Sequence, residues 1–589
     1  MMRRRSFILG AAGGIAAVAL PVSAAAATTA GAGSPPDDVL KHLIGRYDRQ
    51  LRYGSARASG LIPSHVGEIA PAAEAGLAAG TGTDGHPLYP GEVVLAARNG
   101  VIVEHSAAGY NLRYADQQGT ELPKDQWIAA TSDTIYDLAS LSKLFTSLVA
   151  TQQLERGKLA LERTVASYLP KFAANGKQDI TILQLMTHTS GLPADPSPGL
   201  WTYPTYAERV AAIYAVKPQN PAGTVYLYSD LNMMTLGKLV ELVTGKSLDV
   251  VVRDGVTEPL GMHDTMYNPP ASLKHRIAAE EYELVPDRGL VWGQVHDENS
   301  WALNGVAGHA GVFSTAYDLA ILCQTVLNGG RYGRARILST DSVIKMMTNY
   351  NQAFPGNDHG LGFELYLHWY MGALATPYTA GHTGFTGTTV VIDPTTRSFA
   401  IFLTNHVHPN RNWGSNNPQR RAIADAVSRG VAVRPTRGER TAWYGGMADQ
   451  TTATLTLPLT LAAKTRLEFE LWYDTEPESD FLYLESTMDD GKTWKSVPFD
   501  LRGRDYSATT DGSVQGYDGH QWLQAAADLG SLSGAVSLRW RYTTDPLYHG
   551  RGVYVDAVRT TAGGRRTFDD RIPRDAALLQ PDGWTRSAD

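Results

Sequence analysis

A chain of 589 residues with 52 Lys and Arg against 59 Asp and Glu, a formal net charge of -7, carries no concentrated basic face, which sets nucleic acid aside as a partner. That length supports two or three domains, each large enough for its own core. The single cysteine, Cys323, excludes an internal disulfide and a lipid-modified N-terminal cysteine, and it reads as a small buried hydrophobe in a helical run.

Residues 1–33 have the pattern of a cleavable export signal. Met1-Met-Arg-Arg-Arg-Ser-Phe-Ile-Leu9 is basic with a twin-arginine look, a Gly/Ala-rich apolar stretch follows, and small residues run from Ser23 to Ala27. The apolar stretch is too short for a spanning helix, so a secreted protein with no membrane span in its mature form is expected. A helical pattern through Leu40, Leu43, Ile44 and Tyr47 opens the mature chain. Gly91–Arg98 and Val101–His105 flank Asn99-Gly100, a strong hairpin signal. In Asp137-Leu-Ala-Ser-Leu-Ser-Lys143, continued by Leu144, Phe145, Leu148 and Val149, the apolar spacing is helical. It places Ser140 in the first turn with Lys143 beside it on the same face. A loop-rich region ends at Tyr228-Ser-Asp230 and runs into a helix from Met233 to Val243. A second long loop carries His296-Asp-Glu-Asn299 and His309, and the Cys323 helix stops at Asn328-Gly-Gly330. Gly381-His-Thr-Gly-Phe385 then leads into a hairpin turned by Asp393-Pro-Thr-Thr-Arg397.

Strands at both ends with helices between predict an α+β domain over residues 34–433, one antiparallel sheet flanked by helices. Residues 434–440 form a charged linker. Beyond it the apolar period is two, as in Thr452 to Leu461, Leu467 to Leu471 and Val536 to Tyr542, which predicts an all-β sandwich over 441–589.

A serine hydroxyl becomes a useful nucleophile only when a neighbouring base takes its proton, and Lys143 is the neighbour of Ser140. One Ser-x-x-Lys is common on solvated helices and decides nothing alone. Three stretches in order, Ser140-x-x-Lys143, Tyr228-Ser-Asp230 and His382-Thr-Gly384, resemble the serine beta-lactamase and penicillin-binding superfamily, in its class C-like branch of DD-peptidases and esterases. The resemblance implies an acyl-enzyme at Ser140, proton transfer shared by Lys143 and Tyr228, and an oxyanion hole from the amides of Ser140 and Phe385. It also implies a substrate lined by Asp230, His382, Thr383 and Gly384. Asp230 stands where the family often has Asn and His382 where it often has Lys, which points away from efficient antibiotic hydrolysis.

The loop from Val295 to Gly311 resembles that of cell-wall relatives, penicillin-binding protein 4B-like carboxypeptidases and exo-acting muramoyl amidases. Its His296, Asp297, Glu298 and His309 either meet a polar substrate or brace the loop, readings of about equal weight. His188 reads as a turn-stabilising residue rather than a catalyst. No cofactor and no catalytic metal are expected, since His406-Val-His408 and His296-Asp-Glu298 lack a ligand pattern of known spacing. The C-terminal module resembles the jelly-roll domains of immune inhibitor A-type secreted peptidases through phrases such as Ser486-Thr-Met-Asp-Asp-Gly-Lys-Thr-Trp494 and Gly552-Val-Tyr-Val-Asp-Ala-Val558. Its acidic residues could hold calcium and its aromatics glycans, although a sandwich without a ligand carries more weight. The expectation is a secreted serine hydrolase cleaving an amide or ester of peptidoglycan-derived peptides, of DD-carboxypeptidase or muramoyl-amidase type. A broad esterase or weak beta-lactamase is the first alternative, and a catalytically silent cell-surface binding protein the second. Oligomeric state stays open.

Overall fold

Alternation along one strand sets the layers of the first domain. In Gly91–Arg98, Val93, Leu95 and Ala97 join one apolar core while Val94 and Ala96 join another, as the two-residue period of a strand requires. The structure is a computed structural model describing residues 37–504 and 506–589; the expected export signal lies outside them. The first sheet has eight strands: β1 (Arg52–Tyr53), β2 (Gly91–Arg98), β3 (Val101–Leu112), β4 (Ile128–Ala129), β5 (Glu364–Leu365), β6 (Ala380–Thr383), β7 (Thr389–Asp393) and β8 (Ser398–Thr404). Their order is β1-β3-β2-β8-β7-β6-β5, with β4 on β3. The β2–β3 hairpin turns at Asn99 and Gly100, with φ of 55° and 77°, the left-handed pair its sequence predicts. Every pairing is antiparallel except β1 with β3, so the sheet is mixed at this edge. A two-residue strand reached through a loop has no hairpin to dictate its direction.

Four helices matter for the site: α1 (Ser142–Glu155), α2 (Asp230–Thr244), α3 (Ala316–Leu327) and α4 (Asn417–Arg429). Residues of α1 from Ser142 to Gln153 are all buried, which makes it the centre of the larger core. Phe145 and Leu148 of α1, Met233 and Leu236 of α2, and Leu319 and Cys323 of α3 share that core with Leu95 and Ile401 of the sheet. On the opposite face, Ile423 and Val427 of α4 pack on Val94, Val391 and Phe402. Each face thus has its own apolar stripe of helix, the arrangement a sheet apolar on both sides requires.

Beyond α4, the strands from Ala442–Tyr444 onward form a sheet of eight and a sheet of six. Leu455, Leu467, Phe469, Leu482, Leu538 and Trp540 fill the space between, so the period-two runs do form a sandwich core. The sandwich rests on the outer side of α4: Arg421 lies 3.5 Å from Asp449, and His549 lies 3.4 Å from Asp425. Among the described residues no helix is long and apolar enough to cross a membrane.

Candidate active site

Ser140 sits in a short 3₁₀ turn, Ala139–Leu141, and α1 begins only at Ser142, so the serine lies just ahead of the helix rather than inside its first turn. The cause is upstream. Ala139 has φ +47°, a conformation disfavoured for a residue with a side chain, and its amide donates to the buried Asp137 carboxylate at 2.9 Å. The other Asp137 oxygen accepts the His296 amide at 2.6 Å. One carboxylate therefore clamps the strained turn to the 287–310 loop. Burial raises the Asp137 carboxyl, against the pull of these two amides.

Lys143 is buried, and its ammonium has three donors. It donates to Ser140 Oγ at 2.8 Å and to the His309 carbonyl at 3.3 Å, and it is ion-paired with Asp230 Oδ1 at 2.7 Å. The amine also lies 4.8 Å from the centre of the Tyr228 ring. The Tyr228 hydroxyl shares a hydrogen bond with the Ser140 side chain. Removal from water raises it well above the usual phenol range, with Asp230 and Glu364 adding, so it stays a proton-bearing group at neutral pH. Asp230, at the start of α2, is spent on Lys143, which accounts for the carboxylate where an amide is common.

His188 holds this second stretch. Its Nδ1 accepts from the Ser229 amide at 3.1 Å and lies 3.2 Å from Asn232 Nδ2, while its ring lies 4.5 Å from that of Tyr228. Burial, with His359 and Lys143 adding, lowers it well below the usual imidazole range, so it is neutral and braces a turn, as its sequence setting predicts.

The third stretch is fastened to the first. Thr386 Oγ1 donates to the Asp137 carbonyl at 2.8 Å, and Thr388 Oγ1 to the Leu138 carbonyl at 3.0 Å. Arg420 of α4 donates to the Gly384 and Thr388 carbonyls at 3.0 and 3.3 Å. Gly384 leaves no room for a side chain: a Cβ there would meet Leu138 O at 2.4 Å and Thr388 Oγ1 at 2.1 Å. His382, buried on β6, donates from Nδ1 to the Thr383 carbonyl at 2.8 Å. Burial, with Lys143 adding, pushes its imidazole down to about 3, so it is neutral. Thr383 is half-buried, while Phe385 is 56% exposed and stacks on His296 at 5.8 Å.

The 287–310 loop is braced by ion pairs both within it and to neighbouring segments. His296 pairs with Glu281 at 3.0 Å and Glu298 with Arg411 at 2.7 Å. Asp297 caps the helix Glu298–Ala302 by accepting the Ser300 amide at 2.6 Å and meets His309 Nε2 at 2.8 Å. Burial would raise the Asp297 carboxyl, but His309 and the Ser300 amide outweigh it and hold it well below the carboxylate range; His309 is raised in return. Asp195, at the rim, is pushed up to about 6 by desolvation, with Asp230 and Asp297 adding, so three carboxylates crowd the Lys143 side of the site. His406 and His408 turn elsewhere, each bonded through Nδ1 to a carbonyl, of Leu88 and Glu280, and each is pushed down to about 4 by burial.

The structure thus brings Ser140, Lys143, Tyr228 and Asp230 into direct contact and ties the 382–388 segment to the turn beneath Ser140. Sequence reasoning passes over Asp137 and Arg420, whose partners His296 and Gly384 lie 159 and 36 residues away in the chain; the aspartate three residues before the serine is the only local signal.

Residues 84–425 match the Beta-lactamase family profile, and residues 411–588 match that of the Immune inhibitor A-like, MAM domain. An Escherichia coli (strain K12) protein named "Putative D-alanyl-D-alanine carboxypeptidase" is 35% identical over 355 residues, 54% of this chain and 79% of that protein. A protein of the same name from Salmonella enteritidis is 32% identical over 355 residues, with the same two shares. Among solved structures, a family VIII carboxylesterase is 23% identical and covers 63% of this chain and 98% of its own, at a TM-score of 0.48. A penicillin-binding protein homolog from Caulobacter crescentus is 20% identical and covers 62% and 98%, at 0.47. With its family match spanning most of the chain, this protein belongs to the Beta-lactamase family of serine hydrolases and carries an immune inhibitor A-like MAM domain behind the hydrolase fold.

Proposed function

We propose that Ser140 forms an acyl-enzyme with an amide of a peptidoglycan-derived peptide. The observation that carries this reading is the Lys143 ammonium shared between Ser140 Oγ and Asp230 Oδ1. Asp230 takes one ammonium proton, which leaves an amine that accepts the Ser140 proton as Oγ bonds to the acyl carbon. The amides of Ser140 and Phe385 hold the developing oxyanion. Tyr228, which keeps its proton, delivers one to the leaving nitrogen as the C–N bond breaks and recovers it from Lys143. Water then attacks the ester, giving up its proton along the same route in reverse, and frees Ser140.

Two observations bear on the substrate. The carboxypeptidase name of the relatives supports cell-wall peptides. A neutral His382 and the carboxylates of Asp195, Asp230 and Asp297 provide no fixed positive charge for a terminal carboxylate at those positions, which favours an internal amide, as in muramoyl amidases, over removal of a terminal D-alanine. The same neutrality supports a second reading, an esterase for uncharged acyl groups. Secretion accords with either substrate reaching the enzyme outside the cell.

Digestion of purified muropeptides, followed by mass identification of products, tests the proposal. Release of intact stem peptide by the wild type, lost in Ser140→Ala, is expected. Cleavage of short acyl esters with muropeptides untouched would establish the esterase instead. Labelling of Ser140 by neither a fluorophosphonate nor a fluorescent penicillin, with measurable glycan binding, would make the protein a silent binder.

A further inference from the structure

The Asp297–His309 pair, which braces the 287–310 loop, also borders the Lys143 ammonium. An oxygen of Asp230, an oxygen of Asp297 and a ring nitrogen of His309 lie within 4.8 Å of one another. Asp230 is in turn ion-paired with Lys143 at 2.7 Å, so basic and acidic groups alternate from Lys143 through Asp230 and His309 to Asp297. The backbone fixes this order. The His309 carbonyl accepts from Lys143 at 3.3 Å and the Gly308 carbonyl from Thr146 of α1 at 2.8 Å, and a Cβ on Gly308 would meet the Met233 carbonyl of α2 at 1.9 Å. Residues 308–309 are wedged between the helices that carry Lys143 and Asp230, and His309 is 1% exposed. Ionised Asp297 accepts from His309 Nε2 at 2.8 Å. That leaves Nδ1, buried and without a hydrogen-bond partner among the described residues, as the ring position where a further proton binds.

A carboxylic acid ordinarily gives up its proton about six units below an ammonium, so a carboxylate alone is a poor resting place for a proton taken from an amine; an imidazole stands between the two. We propose that His309, backed by Asp297, is a positioning residue that receives, through Asp230, the proton Lys143 gives up. This rests on the acyl-enzyme reading at Ser140. An N–H bond of the ammonium breaks as an O–H bond forms on Asp230, and that O–H bond breaks as an N–H bond forms at His309 Nδ1, across a span that one water bridges. One positive charge moves from Lys143 to His309, and the amine left behind takes the Ser140 proton. The electrostatics favour the move. Burial and the Lys143 charge oppose a charge on His309, while Asp297 and Asp230 favour it, and the Lys143 opposition vanishes as its proton leaves. The charged groups facing His309 are Lys143 of α1, Asp230 of α2, Asp195 at the rim and Asp297 of its own loop. Because His309 must be neutral to receive a proton, attack by Ser140 speeds up as pH climbs through its titration.

The test reads the rate at which a fluorophosphonate labels Ser140 in the full chain as pH is raised from acid to alkaline. The wild type is expected to show an acid limb, labelling faster as pH rises through it. Asp297→Asn keeps an oxygen to cap the Ser300 amide but loses the charge that favours the imidazolium, so its limb moves down by about one unit or more and its plateau falls about 10-fold. His309→Gln loses the limb, and its plateau falls about 100-fold with far-UV circular dichroism unchanged. Asp195→Asn keeps the limb, although the Asp195 carboxyl, raised by desolvation to about 6, titrates nearby. A wild type without an acid limb overturns the inference, as does a limb lost in Asp195→Asn. Slower labelling in Asp297→Asn with the limb unmoved makes the pair a loop brace only and overturns it too, whether or not His309→Gln folds. Failure of the wild type to label at Ser140 overturns the acyl-enzyme reading and this inference together, whereas normal labelling with unshifted variants overturns this inference alone.

Discussion

At the scale of residues, the site is a set of buried charges that satisfy one another. Lys143 is enclosed, hydrogen-bonded to Ser140 Oγ and the His309 carbonyl and ion-paired with Asp230, the proton acceptor of the proposed mechanism. Asp230→Asn keeps the shape and removes the proton acceptor. Its kcat falls by about 100-fold with KM little changed, measured on whichever acyl substrate the wild type turns over. Asp137→Ala acts differently, leaving the Ala139 and His296 amides without an acceptor in a buried place. Denaturant unfolding should show a loss of about 2–4 kcal/mol, together with lower turnover as the strained turn relaxes. These residues also mark what can be read in a sequence. Ser140, Lys143 and Tyr228, to which the proposed chemistry falls, stand in short recognisable strings. Asp230 is legible only as a departure, since its partner lies across the fold, and Asp137 earns notice only once its amide donors are in view.

At the scale of elements, the site depends on two loops pressed face to face. The 382–388 segment lies against the Asp137–Leu138 backbone with no space at Gly384. Gly384→Ala drives a methyl into the Leu138 carbonyl and parts the loops. Turnover drops by at least about 100-fold, while far-UV circular dichroism stays that of the wild type. Both hairpins of the sheet were legible, since Asn99-Gly100 and the 393–397 turn carry local backbone preferences and alternating strands flank them. The 3₁₀ turn at Ser140 was not. Helical spacing of Leu141 and Leu144 extends back over it, and only the capture of the Ala139 amide by Asp137 stops α1 at Ser142. Likewise the 287–310 loop shows polar residues but not their pairing: Asp297 with His309 inside the loop, and Glu298 with the distant Arg411.

At the scale of the whole molecule, the sandwich is held to the hydrolase fold by an ion-pair cluster around His549. Burial alone would lower this imidazole, but hydrogen bonds to Asp425 and Asp449 raise it to about 10, above its unfolded value near 6.5. A raised value means stability that is fully present below about 6.5 and lost as pH climbs through about 10. Thermal unfolding from pH 6 to 10 should therefore show a falling Tm in the wild type and a flatter profile in His549→Gln, which starts lower by about 3 kcal/mol of stability. Arg420 and Arg421 give this attachment a geometric meaning. Consecutive residues of a helix point about 100° apart, so one guanidinium reaches inward to the Gly384 carbonyl while the next reaches outward to Asp449 and the Leu547 carbonyl. Anyone grafting this hydrolase onto a foreign module must cut after α4 and keep its phase, because a single inserted residue within the helix would rotate one of these arms off its target.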